Sequence, residues 1–352
     1  MAISFKTLTQ DDKTTSRTLL HENIPITGTI ISGTYAIASS GREENIKTFS
    51  HGMFQSVYDY PYASSSANHI FDITNGFSTT GSSVSSSAQS HTAAQTSKKV
   101  NIYNQMAQVL AGYTTSSAVR RFDEDGELDG EGGTKIDNAI FVNFSRLLVK
   151  DEIKKGSFSL KLGTANSRTA PFGTITTITD SDATSSYKIN SPAGEYGLLY
   201  NGTSKVGLLY YQAGVAVLTS SVFANSVTMS GGTVTSQALF TGSSIDSYAD
   251  AVRHRIQNIS FNNTTELNST IYFCRANNTE FNYSSNPTYL SGSKIRVKTN
   301  PGTNEQFNLP RSYVTTVGLY SHDNELLAVA KLSEPLRKDP TNELTLRVRL
   351  DY

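Results

Sequence analysis

At 352 residues the chain is long enough for two or three domains and a sizeable core, and its thirty basic and thirty acidic residues cancel. Zero net charge argues against a general nucleic-acid binder, whose footprint is a basic excess. No window reaches the roughly 18 apolar residues of a membrane span, so neither nucleic acid nor a membrane is expected as a partner.

Residues 1–97 are polar and poor in helical pattern, and read as an N-terminal arm. The opening MAISFKTLTQDDKTTSR lacks the apolar stretch of a secretory signal, and the single Cys274 leaves no internal disulfide. Both are expected of a chain assembled in a reducing cytoplasm. Ile24-Pro25-Ile26 and Thr29-Ile30-Ile31 read as short strands. Tyr58, Tyr60 and Tyr62 in YDYPY could form a carbohydrate platform, but tyrosine is also abundant in subunit interfaces, and the interface reading is preferred. Thr74–Ser97 contains no Asp, Glu, Lys or Arg. Such a segment is expected to lack a private core and to be ordered by a neighbouring subunit or not at all.

The first core segment is 98–163. KKVNIYNQMAQVLAGY spaces Val100, Tyr103, Ala107 and Leu110 along one helical row, with Ser97 as cap and Gly112 as stop. FDEDGELDGEGG then places Asp123, Asp125, Glu127 and Asp129 at two-residue steps. A calcium loop of the EF-hand type needs Gly at its sixth position and Glu at its twelfth, where this chain has Leu128 and Thr134. The four carboxylates therefore read as a solvated acidic hairpin tip, with a weak hard-cation site as the alternative. Phe158, Leu160 and Leu162 alternate with polar residues as in a strand.

Residues 164–243 turn rich in Ser, Thr and Gly, with no charge between Lys205 and Asp246 and with Asn-Gly, Ala-Gly and Gly-Gly between short apolar runs. This punctuation predicts hairpins, and the loss of charge predicts an inserted all-β module. The second core segment, 244–352, opens with Ile245, Tyr248, Ala249, Val252, Ile256 and Ile259 at helical spacing, capped by Ser243 or Ser244. A strand over Ser269–Cys274 follows. The end of the chain predicts a three-stranded meander: Tyr313–Leu319, Leu326–Leu332 and Leu344–Leu350. In the last, Leu344, Leu346, Val348 and Leu350 are expected to face the core, with Arg347 and Arg349 towards solvent or a neighbouring subunit. Burying those four side chains is worth so much that deleting residues 343–352 is expected to abolish folding.

No HExxH, GxSxG, GxxxxGK[ST] or strand-bound GxGxxG occurs, and the six histidines have no metal spacing. No enzyme activity and no cofactor are expected. EFNYSSNPTYL, NELLAVAKLSEPL and ELTLRVRLDY near the end resemble segments of virion structural proteins of large tailed bacteriophages, especially contractile-tailed marine phages. FDITNGF, KKVNIYNQMAQVLAGY, FVNFSRLLVKDEIKKGSFSLKLG and GEYGLLYNGTSKVGLLYYQAGVAVL are similar to the same family, so the resemblance covers most of the chain. It implies a structural component of the virion, assembled in the host cytoplasm with other virion proteins and present in several copies or as a homo-oligomer. Tail or baseplate is the first location it implies, neck or capsid accessory the second. A receptor- or carbohydrate-binding role for 164–243 is the competing function. The fold expected is α+β and mostly β: a core antiparallel sheet with two packed helices and an inserted β module.

Overall fold

The computed structural model describes residues 5–31, 42–81, 93–127, 132–229, 234–284, 289–291, 294–295 and 309–352. In chain order the strands are β1 (Lys13–Thr27), β2 (Ile46–Thr48), β3 (Gln55–Tyr58), β4 (His69–Phe77), β5 (Phe122–Asp123), β6 (Lys135–Ile136) and β7 (Asn138–Phe144). They continue with β8 (Glu152–Ile153), β9 (Ser159–Gly163), β10 (Ile175–Thr179), β11 (Lys188–Ser191), β12 (Gly194–Asn201), β13 (Ser204–Tyr210) and β14 (Val215–Thr219). The last are β15 (Ile256–Ala276), β16 (Leu290–Ser291), β17 (Lys294–Ile295), β18 (Ser312–Tyr320), β19 (Leu326–Lys338) and β20 (Leu344–Asp351). Among the described residues three helices exceed one turn: α1 (Ala93–Leu110), α2 (Ser236–Gly242) and α3 (Ile245–Arg253). The fold is α+β and mostly β, as expected.

Two compact units divide the chain: Leu20–Thr265, and Met1–Leu19 with Glu266–Tyr352. In the larger unit the sheet runs β15-β9-β10-β12-β13-β14-β7-β4-β3-β2. Along β7, Ala139 and Phe141 belong to one apolar cluster, and Ile140, Val142 and Phe144 to another. Along β14, Val215 and Val217 alternate with Ala216 and Leu218 between the same two clusters. Successive side chains point to opposite faces of a strand, so this alternation means that the sheet is buried on both sides. Ile102, Tyr103, Ala107 and Leu110 of α1 join one cluster; Leu239, Phe240, Tyr248, Ala249 and Val252 of α2 and α3 join the other. Gly76 in β4 lets α1 approach, because a Cβ there would sit 2.5 Å from the Lys99 carbonyl. Lys99 in turn is fully buried, and its ammonium donates to the carbonyls of Phe240 (2.5 Å) and Ser243 (2.7 Å), at the end of α2.

Several expectations give way to this architecture. Residues 164–243 are not set apart from the core: β10, β12, β13 and β14 lie in mid-sheet, β10 on β9 and β14 on β7. The unit boundaries fall at 19/20 and 265/266 instead. Charge is absent from β13 beyond Lys205 and from β14 because both faces of these strands are buried, so low charge there marked the centre of the sheet and not a separate module. Nor are residues 1–97 an arm throughout. Strand β4 pairs with β7 from Phe71 to Phe77, and Thr74, Asn75 and Phe77 are buried. The rest of Thr74–Ser97 from 82 to 92 lies outside the described residues. Thr29-Ile30-Ile31 belongs to the one-turn helix Gly28–Ile31, not to a strand.

The first helix starts at Ala93, upstream of Ser97, and stops at Gly112 as expected. Gly112 has φ +80, and its N–H donates to the Ala107 carbonyl at 2.8 Å. Helix α3 is capped by Ser244, whose side chain accepts from the Ser247 N–H, and ends at Arg253. Ile256 and Ile259 continue the apolar pattern but belong to β15, where Ile259 and Phe261 are buried at two-residue spacing.

Candidate interaction surface

The smaller unit is patterned like a core, yet its described residues form none. None of them belongs to either apolar cluster, and of the apolar ones just Leu319 and Val348 are buried. Its three long strands do not form the expected meander. Strand β18 pairs with β19, whereas β20 pairs with β15 from Ser269↔Asp351 to Ala276↔Leu344. Alternation along β20 is as expected: Val348 is buried, Leu344, Leu346 and Leu350 are half-buried, and Thr345, Arg347 and Arg349 are exposed. The covered face is shallow: Leu344, Leu346 and Leu350 line an open groove and stay half-buried.

Polar contacts hold the unit's turns. Lys338 is buried and donates to Asn282 Oδ1 at 2.7 Å; Asp339 accepts from the Thr341 N–H at 2.9 Å and from Arg337. With those hydrogen bonds and the guanidinium beside it, the Asp339 carboxyl is held down at about 2. Lys6 donates to Glu280 at 2.6 Å.

The hairpin β18–β19 presents large apolar side chains to water: Tyr313 is 62% exposed, Leu326 53%, Leu327 67% and Val329 57%. Beside it runs an open groove of about 870 Å³, with Tyr272, Leu344, Leu346 and Leu350 on the β15–β20 side. Strand β18 contributes every residue from Ser312 to Tyr320 to the groove. Phe5, Lys6, Thr7 and Leu8 line the same groove, with the Phe5 ring 4.8 Å from that of Tyr320. Isolated two-stranded hairpins are marginal in water, and this one leaves large apolar side chains exposed on both of its faces.

Of the interface residues expected from sequence, Arg347 and Arg349 belong to this unit. Arg349 donates to Asp351 at 2.7 Å and to Ser269 at 3.1 Å, while Arg347 is exposed opposite Phe273. Tyr58, Tyr60 and Tyr62 belong to the larger unit. The Tyr58 ring lies 6.4 Å from Tyr62 and 5.6 Å from His69, and Tyr60 and Tyr62 are exposed.

The acidic loop is organised from within. Asp123 is buried and accepts from the Asp125 N–H at 3.0 Å and from the Lys135 ammonium. Asp125 accepts from the Glu127 N–H at 3.4 Å; Asp129 lies outside the described residues. Burial and the neighbouring Asp125 carboxylate push Asp123 above the usual range, against the pull of Lys135. Lys135 thus supplies the positive charge that a bound cation would bring.

One cluster escaped the sequence because its members lie some 200 residues apart. The fully buried Arg253 donates to the Ile31 carbonyl at 2.5 Å, to Glu43 at 2.6 Å and to Asp250 at 2.6 Å. His254 Nε2 lies 3.0 Å from Glu43 Oε1, and Nδ1 lies 2.8 Å from the Asp250 carbonyl. Arg42 reaches Asp246 and, at 2.8 Å, Asp250. Burial alone would raise Glu43, but the hydrogen bond from His254 and the charge of Arg253 hold it down at about 2. The Glu43 contact raises His254 despite burial. Both ring nitrogens face acceptors, which is the pattern of an imidazolium. Glu43, Asp250 and His254 have donor atoms within 4.8 Å of one another. Two guanidinium groups already occupy the carboxylates, so the cluster is a clamp between residues 42–43 and α3 and not a prepared metal site.

No family model matches the chain, and no curated protein or solved structure is significantly similar to it.

Proposed function

We propose that this protein is a non-enzymatic structural component of a tailed-phage virion that acts through subunit contacts, in the tail or baseplate before the neck or capsid. The observation that carries the subunit-contact part is the coreless smaller unit. Its strands are patterned with Tyr, Leu and Val, yet they find almost no partner surface among the described residues of their own unit. A strand-rich unit left so exposed gains its missing burial from a neighbouring molecule. The virion part rests on the resemblance of the quoted segments. Arg347, beside the half-buried stripe of β20, and the exposed tyrosines Tyr60 and Tyr62 belong to the contacts this role requires.

Antibodies raised against the chain, applied to purified particles and located by electron microscopy, test the assignment. Labelling at one symmetric position is expected, together with slower hydrogen exchange in β18, β19 and β20 in particles than in the free chain. Absence of the chain from particles overturns the assignment, and equal exchange in both states overturns the contact surface.

A further inference from the structure

The open strand edges of this protein are not alike. Natural sheets blunt an exposed edge with charge, proline or a bulge, because an unguarded edge recruits another strand. Strand β1 carries Lys13, Arg17, Glu22 and Pro25; β19 carries Lys331, Glu334, Pro335 and Arg337; β20 carries Arg347, Arg349 and Asp351. Even the three-residue β2 holds Lys47. Strand β18, SYVTTVGLY, has neither charge nor proline over nine residues, the irregularities of its ladder place their extra residues in β19, and among the described residues it pairs with β19 alone. All nine residues of β18 border the open groove, and no other described strand pairs with that edge.

We infer that the β18 edge is a self-association site, at which β18 of a second copy adds antiparallel about a two-fold axis. This deepens the subunit-contact reading and rests on it. A basic strand would meet Lys6, Lys13 and Arg275, which line the same groove, whereas a second β18 carries no charge and meets the edge without repulsion. An isologous pairing centred on Thr316 brings all nine residues of each copy into the ladder. It sets Tyr313 opposite Leu319 and Val314 opposite Gly318, an aromatic–aliphatic pair and a large–small pair. Thr316 faces its counterpart in the second copy. The two hairpins then form one four-stranded sheet, wide enough to be stable where the single hairpin is marginal. Backbone hydrogen bonds supply the affinity and the groove receives alternate side chains, as in other strand-addition interfaces.

The test uses the full chain and two variants at the exposed Thr316, Thr316→Lys and Thr316→Glu. Light scattering after size exclusion at micromolar concentration should give the wild type twice the 38.2 kDa chain mass, and each variant 38.2 kDa. Mixing the two variants should restore the doubled mass, because Lys and Glu then face each other across the axis. Unchanged circular dichroism in each variant shows that association was lost and not the fold. Wild type at 38.2 kDa, variants that keep the wild-type mass, or a mixture that stays monomeric each overturns the pairing. A wild-type monomer whose β18 is nevertheless protected in particles overturns self-pairing and leaves the subunit-contact reading standing; a monomer without that protection removes both.

Discussion

Deleting residues 343–352 removes β20 and one side of the ladder on Ser269–Ala276. The sequence pattern alone predicts that such a truncation abolishes folding. With the structure, the magnitude is different. Val348 is buried and Leu344, Leu346 and Leu350 are half-buried, so their burial is worth together roughly 4–7 kcal/mol as an upper bound. All of it belongs to the smaller unit. The two clusters of the larger unit contain none of these side chains. The truncated chain is therefore expected to keep the larger unit folded while losing order in the smaller one. Near-ultraviolet circular dichroism is a suitable assay: the chain has no Trp, and Tyr103, Tyr196, Tyr210, Tyr211 and Tyr248 are all buried in the larger unit. Their tyrosine signal and a cooperative melt should survive the deletion, and incorporation into particles should not. A truncated chain with no near-ultraviolet signal would refute the claim that the larger unit carries its own core.

Phe141, fully buried with Phe122 at 5.8 Å, should cost about 3–5 kcal/mol in urea unfolding when replaced by Ala, whereas Tyr313→Ala in the isolated subunit should cost less than about 0.5 kcal/mol. Gly76→Ala should cost about 1–3 kcal/mol in the same assay, since the added Cβ meets the backbone of α1 and not a side chain that can turn away. Glu43 is depressed from 4.5 to about 2, so its contribution is complete above pH 4.5 and is lost as pH falls towards 2. His254 is raised from 6.5, so its contribution is complete below pH 6.5 and is lost as pH rises through the raised value. The difference in melting temperature between wild type and Glu43→Gln should accordingly be largest between pH 4.5 and 6.5; a difference independent of pH would show that the clamp is not ionic.

What the sequence determined by itself was local. The stripe of α1, the stop at Gly112, the Ser244 cap and the two-residue alternation of β20 are all written in spacings of a few residues, where periodicity and cap chemistry act. Partnership was not legible at that range. Alternation in β20 requires one covered face, but it is silent on whether β19 or β15 lies alongside. The tertiary structure decided for β15, some 75 residues upstream in the register Phe273↔Arg347. The absence of charge over 206–219 and Thr74–Phe77 looks the same for a detached module, an arm and a strand buried on both faces, so composition could not choose among them. Ile256 and Ile259 fit a helix and a strand equally well until β9 takes them into the sheet. The clamp of Glu43 with Arg253 and His254 joins residues 210 and 211 positions apart, and no local signal marks either end. Most of all, sequence shows that a side chain is apolar, whereas burial is a property of what packs against it. Tyr313, Leu327 and Val329 carry the pattern of a core and stand exposed, because the surface that would cover them is not supplied by the described residues of their own unit.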